Sequence, residues 1–287
     1  MIPAPFQYYS PKTVNEAIGL LQQHGDDAKL LAGGHSLLPA LKLRLAQPAV
    51  LIDISRVTEL QGITVNGNLI IGAATTYHEI ATSDAVRSTC LVLAECAGQI
   101  GDIQVRNRGT IGGSLAHADP AADLPAVALA LGATINVTGP MGARSIAADD
   151  MFVAMLTSAV EPTEVITSVT FPVLGQGEGA AYAKLRHPAS RYAIVGVAAY
   201  VRLDGGAVAA CRIAVTGAGA VAVRQPAAEA ALAGTAGDDA DVAAAAAAAG
   251  DGIDYLGDIH ASAEYRQAMV KVYTRRALVE ALQRARA

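Results

Sequence analysis

The sequence predicts an α+β protein made of a small α/β unit, a second mixed unit, and a C-terminal unit in which strands come before helices. Three observations carry that expectation. Residues 1–55 hold two short apolar runs, "KLLA" (29–32) and "VLIDI" (50–54), separated by enough chain for a crossover, so the runs are expected to pair in parallel. At "ITVNGNLIIGA" (63–73) the apolar period changes, and Asn66-Gly67 supplies two residues tolerant of positive φ at the turn of a hairpin. The glycine-rich run "LGQGEG" (174–179) reads as a linker, leaving the residues beyond it to form a unit of their own.

The elements follow in order. Thr13 can cap a first helix, Glu16 three residues on completes a capping box, Ala17, Ile18, Leu20 and Leu21 form its apolar side, and Gly25 stops it. After the hairpin, residues 84–101 read as one helix and "AADLPAVALALGA" (121–133) as another, with Asp123 in its first turns. "ATINVTG" (133–139) and "EVITSVTFPV" (164–173) are strands. Past the linker, strands are expected around "AYAKLR" (181–186), "YAIVGVAAYVRL" (192–203) and "CRIAVTG" (211–217). The alanine-rich stretch 227–250 is a good helix former. "SAEYRQAMVKVYTRRALVEALQRA" (262–285) reads as an amphipathic helix with Tyr265, Met269, Val272, Val279 and Leu282 on or near one packing face.

Composition excludes several function classes. The 287 residues leave material for two or three packed units. Hydrophobic content is 52%, mostly Ala, Val, Leu and Ile, yet no apolar run approaches the roughly 18 residues a membrane span needs. "MIPAPFQYYS" lacks a basic segment followed by an apolar one, so a cytoplasmic protein is expected. The net charge of −5, from 21 basic and 26 acidic residues spread along the chain, offers no basic block to nucleic acid or an anionic membrane. Cys90, Cys96 and Cys211 form no CxxC pair or cluster run and read as buried, reduced thiols. His117, Asp119 and Asp123 lack a metal-ligand spacing, so no metal site and no catalytic residue is assigned.

Two stretches carry the chemistry. "KLLAGGHSLLP" (29–39) and "GTIGGSLAHADPAADLPA" (109–126) each follow an apolar run with paired glycines and a serine. Glycine lets backbone N–H groups approach a phosphate, the serine adds a hydroxyl, and a helix start adds a favourable dipole of about 0.3–1 kcal/mol. A dinucleotide pyrophosphate held at two points fits both stretches. A third run, "VTGAGAVAVRQP" (215–226), meets the loose dinucleotide spacing at Gly217, Gly219 and Ala222, but Pro226 interrupts the helix that should follow, and the run is read as a strand end.

"AGGHSLLPALKLRL" (32–45), "QVRNRGTIGGSLAHADPAADLPA" (104–126) and "AKLRHPASRYAIVG" (183–196), in this order, resemble the medium FAD-binding subunit of molybdenum hydroxylases, the group of aerobic carbon monoxide dehydrogenase, nicotine dehydrogenase and xanthine dehydrogenase-like enzymes. The resemblance implies an FAD-binding domain of the p-cresol methylhydroxylase type over residues 1–176, with α/β subdomains 1–55 and 56–176. It also implies the carbon monoxide dehydrogenase flavoprotein C-terminal domain, a small antiparallel sheet plus helices, over 177–287. Carried over by position, it places Lys29, Leu30, Leu31, Ala32, Gly33, Gly34, His35 and Ser36, with Thr110, Ile111, Gly112, Gly113 and Ser114, around the FAD pyrophosphate and ribityl chain. Asp123 falls where the family bonds ribityl or ribose hydroxyls, and Lys184 and Tyr192 fall near the isoalloxazine. Arg106 and Arg108 either stabilise the second turn or face a partner.

In that family the substrate is oxidised at a molybdenum cofactor on a large subunit, electrons cross two [2Fe-2S] clusters on a small iron-sulfur subunit, and FAD on the medium subunit passes them to an external acceptor. A dimer of such heterotrimers is the expected assembly. Carbon monoxide dehydrogenase is the first expectation, and the same subunit of an N-heterocycle or aldehyde hydroxylase is the alternative. Two rivals stand outside this reading: a stand-alone oxidase with FAD attached covalently through His35, and a non-catalytic nucleotide-binding or scaffold module. His35 is expected to be a neutral hydrogen-bonding turn residue, leaving FAD non-covalent.

Overall fold

A computed structural model describes residues 2–287. The chain opens with β1 (Gln7–Tyr9), α1 (Val14–His24), β2 (Ala28–Leu31), α2 (Leu37–Lys42) and β3 (Val50–Asp53). These strands form a parallel sheet in the order β1-β3-β2, with Ala28–Leu31 facing Val50–Asp53 in the expected register sense. Thr13 Oγ1 accepts from Glu16 N at 3.1 Å, as a cap should. The Glu16 carboxylate, however, takes the Lys12 N–H at 2.7 Å rather than that of Thr13, so the reciprocal half of the box is shifted one residue back. Val14, Ala17, Ile18 and Leu21 are buried against β2 and β3.

The middle of the chain contains the hairpin β4 (Ile63–Asn66) and β5 (Asn68–Gly72), then α3 (Tyr77–Thr82), α4 (Asp84–Thr89), α5 (Leu91–Gln99), α6 (Ile103–Arg106), α7 (Ile111–His117) and α8 (Leu124–Leu131). It continues through β6 (Thr134–Gly139), β7 (Gly142–Ala147), α9 (Ala148–Met151), the short pair β8 (Phe152–Ala154) and β9 (Thr157–Ser158), and β10 (Val165–Pro172). β4-β5-β10-β6-β7 make one antiparallel sheet. The single helix expected over 84–101 is broken at Cys90, whose φ of −154° and ψ of 67° cannot continue an α-helix; its thiol is buried at that break. Every residue of α8 is buried, which explains why its sequence is apolar all round.

Beyond these come β11 (Glu178–Arg186), β12 (Ala193–Asp204), β13 (Ala207–Thr216) and β14 (Val223–Arg224), antiparallel in chain order, and then α10 (Pro226–Leu232), α11 (Asp239–Ala248) and α12 (Ala263–Arg286). The alanine-rich stretch is therefore two helices rather than one. Asp238 restarts the second by accepting from Ala240 N and Asp241 N. α12 buries Arg266, Val270, Thr274, Ala277, Leu278, Ala281, Leu282 and Ala285, while Tyr265 and Val272 are exposed, so its packing face is rotated from the expected one. The reason is steric. A Cβ on Gly179 of β11 would sit 2.1 Å from Ala281 O and 2.5 Å from Ala285 N, so the helix crosses β11 on its alanines, while Val270, Leu278 and Leu282 fill the core beside that crossing.

Three apolar clusters result: one under the parallel sheet, one between the five-stranded sheet and α3–α8, and one between the C-terminal sheet and α10–α12. Ala180 and Tyr182 of β11, packing toward α5, and Ala198 and Ala214 of β12 and β13, packing on α8, join the middle cluster. Among the described residues no helix is long and apolar enough to cross a membrane.

Candidate functional site

The two glycine turns meet. β2 delivers the chain into Ala32–Ser36, and a Cβ on Gly33 would lie 2.1 Å from the Arg108 carbonyl oxygen and 2.9 Å from Gly109 Cα, so the first turn touches the start of the second, backbone to backbone. Gly34 has φ +78° and its carbonyl accepts from Leu38 N to start α2. Among the described residues, no protein acceptor takes the amide N–H of Gly33, Gly34, His35 or Ser36. Four consecutive free donors at a left-handed turn form a concavity suited to an anion.

The N–H groups of the second turn have protein partners. Thr110 Oγ1 accepts from Gly113 N at 3.2 Å, Ile111 N donates to Thr75 O at 3.2 Å, and Gly112 N donates to Ala73 O at 2.9 Å. The N-terminal amides of α7 are thus occupied in tying that helix to the end of β5. Glycine is needed at 112 because a Cβ there would meet Ala73 Cβ at 2.6 Å. Of the two glycine pairs expected to approach a phosphate, the first leaves its N–H groups without a protein acceptor and the second has its own engaged within the protein. Ser114 lies beside the buried Tyr77 hydroxyl.

Asp123, at the foot of α8, is 3% exposed, and both its carboxylate oxygens are already bonded by the protein. Tyr182 Oη donates to Oδ1 at 2.5 Å, and Lys184 Nζ donates to Oδ2 at 2.8 Å, with the Lys184 side chain 1% exposed. Tyr182 and Lys184 stand two residues apart on β11 and so share one face of the strand. Burial pushes the Asp123 carboxyl above the usual aspartate range, against the opposing pull of Lys184 and the Tyr182 hydroxyl. Burial also pushes the Tyr182 phenol and the neighbouring Cys96 thiol well up. Tyr182 escaped the sequence reading; its spacing to Lys184 was the available signal.

The remaining expected residues fall around these. His35 Nε2 lies 3.1 Å from the Gln104 carbonyl oxygen and donates to it, which ties the first turn to α6. Tyr192, 45% exposed at the end of the loop joining β11 to β12, reaches across so that its hydroxyl lies beside Ser36 and faces Asp119; burial raises that phenol above its ordinary value. Lys29 is exposed at the far end of β2 from the turn, and Leu30, Leu31 and Ala32 are the half-buried lead-in. Arg106 Nη1 donates to the Ile100 and Gly101 carbonyls, both at 3.1 Å, and so fastens α6 to the end of α5. Arg108 is exposed, and its charge acts on Asp53: burial raises that carboxyl, but hydrogen bonds from Tyr8 and Ser55, with Arg108, hold it below its ordinary value. Gly217 and Gly219 lead into a loop and β14, with Pro226 opening α10 only afterwards, so no helix N-terminus faces that run. Among the described residues no group of three His, Cys, Asp or Glu could hold a metal ion.

A run of free amides where two backbone turns touch, with the Tyr192 hydroxyl beside Ser36, defines a flavin-binding oxidoreductase subunit once the comparisons are set beside it. The family pattern described as the FAD binding domain in molybdopterin dehydrogenase matches residues 4–174, and that of the CO dehydrogenase flavoprotein C-terminal domain matches residues 180–281. The chain is 43% identical over 279 residues to the carbon monoxide dehydrogenase medium chain of Hydrogenophaga pseudoflava, covering 97% of each. It is 41% identical over 288 residues to the 6-hydroxypseudooxynicotine dehydrogenase complex subunit alpha of Paenarthrobacter nicotinovorans, covering 100% of this chain and 97% of that one. A solved structure of the Hydrogenophaga pseudoflava carbon monoxide dehydrogenase superposes with a TM-score of 0.96 at 44% identity, covering 99% of both chains. The chain belongs to the FAD-binding medium subunits of the molybdenum hydroxylases.

Proposed function

We propose that this chain holds FAD where the two glycine turns meet and, as the medium subunit of an aerobic carbon monoxide dehydrogenase, relays electrons from [2Fe-2S] clusters on a small partner subunit to an external acceptor. The observation that carries the reading is the run of free N–H groups from Gly33 to Ser36 set against the Arg108–Gly109 backbone. FAD, when bound, supplies the redox chemistry that no side chain here provides. The rest is positioning. The amides of Gly33–Ser36 neutralise the pyrophosphate, Thr110–Ser114 form the opposite wall with Ser114 offering its hydroxyl, and the half-buried Leu30, Leu31 and Ala32 fix the approach of β2. Lys29, at the far end of that strand, contributes charge rather than contact. Tyr192 limits water at the flavin ring, and Lys184 places a cation there that favours added electrons. Asp123 acts through Lys184: its carboxylate accepts from Nζ and holds that side chain in place inside a dry core. FAD is bound without a covalent link, because His35 is oriented by its bond to the Gln104 carbonyl.

The same reading divides the chain into an FAD-binding domain over 1–176, with subdomains 1–55 and 56–176, and a C-terminal domain over 177–287; the matches to residues 4–174 and 180–281 support that division. It also places the chain in the cytoplasm, in a dimer of heterotrimers with the small iron-sulfur and large molybdenum subunits. One observation favours a second reading within the family, a medium subunit of an N-heterocycle or aldehyde hydroxylase: the similarity to the 6-hydroxypseudooxynicotine dehydrogenase subunit is nearly as high as that to the carbon monoxide dehydrogenase chain. The test is a substrate panel on the complex assembled with its own partner subunits, reading flavin reduction. Reduction by CO supports the first reading, and reduction by a heterocycle or aldehyde but not by CO overturns it in favour of the second.

A further inference from the structure

We infer that His187 and His260 form a latch that positions the Tyr192 loop, so that the segment just before the C-terminal helix sets how closely Tyr192 covers the cofactor site. This rests on the proposed placement of FAD beside Tyr192. The loop from His187 to Tyr192 leaves β11 and returns as β12, and its ends are closed by His187 N donating to Tyr192 O at 2.8 Å and Arg191 N donating to His187 O at 2.9 Å. Arg191 has φ +60°, a left-handed conformation that a long side chain keeps only where its surroundings impose it.

The imposition comes from the C-terminal side. His187 Nδ1 accepts from Ala189 N at 3.2 Å and Ser190 N at 3.0 Å, so that nitrogen carries no hydrogen and the ring's hydrogen is on Nε2. His187 Nε2 lies 3.2 Å from His260 Nδ1 and donates to it, the two rings meeting edge to face with centroids 4.2 Å apart. One imidazole thus shapes the loop with one nitrogen and is held from outside with the other.

The platform under His260 is fixed. Asp258 Oδ1 accepts from His260 N at 2.8 Å and Ala261 N at 2.9 Å, and Asp258 Oδ2 accepts from Arg266 Nη2 at 2.6 Å. Arg266, 5% exposed on α12, also donates to Ile194 O at 2.6 Å and Gly217 O at 2.7 Å, binding the start of β12 to the end of β13. A cavity of about 260 Å³ opens between the two segments, with His187, Tyr192, His260 and Arg266 on its walls. Among the described residues the histidine pair is the one side-chain hydrogen bond between the 187–192 loop and the 257–261 segment. On the opposite side the Arg191 guanidinium is bonded to Gly101 O at 3.2 Å, and the Tyr192 hydroxyl lies beside Ser36.

The substitutions separate the two jobs of each ring. His260→Ala removes the acceptor. His260→Asn keeps an acceptor close to where Nδ1 lies, and His187→Asn keeps the acceptor for Ala189 and Ser190 while losing the donor. With the full-length, flavin-loaded chain, two signals are read: the rate of tryptic cleavage after Arg191, and quenching of flavin fluorescence by iodide. Loss of one hydrogen bond raises the population of the open loop by about five- to tenfold, so His260→Ala and His187→Asn cleave that much faster and His260→Asn returns toward the wild-type rate. Iodide quenching rises in parallel. Unchanged cleavage in His260→Ala, or no rescue by His260→Asn, overturns the latch. Faster cleavage with unchanged quenching leaves the latch standing and overturns instead the placement of Tyr192 over the flavin.

Discussion

Gly33→Ala tests the junction of the two turns with the smallest possible change. The added methyl would begin 2.1 Å from the Arg108 carbonyl oxygen, whereas an ordinary carbon–oxygen contact needs about 3.3 Å, so the turns must separate by about 1.2 Å. A shift of that size takes an amide donor out of hydrogen-bond range of a phosphate oxygen. If two of the four free amides lose a charged acceptor, at about 1.5–3 kcal/mol each, FAD binding weakens by about 3–6 kcal/mol, or roughly 10²- to 10⁴-fold. The assay is flavin per polypeptide after dialysis, followed by titration of the apoprotein with FAD, with far-ultraviolet circular dichroism to show that the fold is kept. Gly34→Ala is the comparison: it strains a φ of +78° and presses only on the Leu38 and Leu31 side chains, so a loss of about 1–2 kcal/mol is expected. Gly33→Ala binding FAD within about threefold of wild type would refute the reasoning.

The other predictions address the buried charge, the helix seat and the mode of attachment. Lys184→Met leaves the Asp123 carboxylate buried without its cation and destabilises the fold by about 3–5 kcal/mol at pH 8. Because burial raises the Asp123 carboxyl, its contribution to stability is complete at low pH and is lost as pH rises through that raised value; without Lys184 the loss is larger. Urea unfolding should therefore show the gap between wild type and Lys184→Met narrowing from pH 8 to pH 5, and Asp123→Asn added to Lys184→Met should recover part of it; a gap independent of pH contradicts this. Gly179→Val forces α12 off β11 and should lower stability by about 3 kcal/mol in thermal unfolding, and a change within half of that would mean the helix can slide. Acid precipitation should free all the flavin into the supernatant; colour retained by the pellet would point to a covalent link at His35.

Elements whose signal is local were readable. The parallel pairing of β2 with β3 followed from two apolar runs and the length between them, and the β4–β5 hairpin from Asn66-Gly67. β1 was missed because Gln7-Tyr8-Tyr9 alternates nothing; it is a strand because β3 offers it an edge. The break at Cys90 carries no proline or glycine and was invisible to helix propensity, whereas the split at 233–238 was marked by Gly234 and Gly237, both at positive φ, and by the capping Asp238. On α12, Leu282, Met269 and Val279 of the expected face do pack, whereas Tyr265 and Val272 are exposed, because the close approach to Gly179 turns the alanines toward the sheet. At the site, paired glycines showed that a backbone comes close to something, but not to what. For Gly112 the neighbour is Ala73, and for Gly33 it is the other turn. The bond from Tyr182 to Asp123 spans 59 residues of sequence and arises only when β11 packs on the foot of α8.

The central claim is that this chain relays electrons and does not itself oxidise the substrate. It is tested most directly by adding CO anaerobically to the purified, flavin-loaded chain, verified free of other subunits, and then adding the small iron-sulfur and large molybdenum subunits. The account predicts a visible flavin absorbance unchanged by CO alone and bleached once both partners are present. Bleaching of the isolated chain by CO, or no bleaching in the fully assembled complex by CO, a heterocycle or an aldehyde, would contradict it.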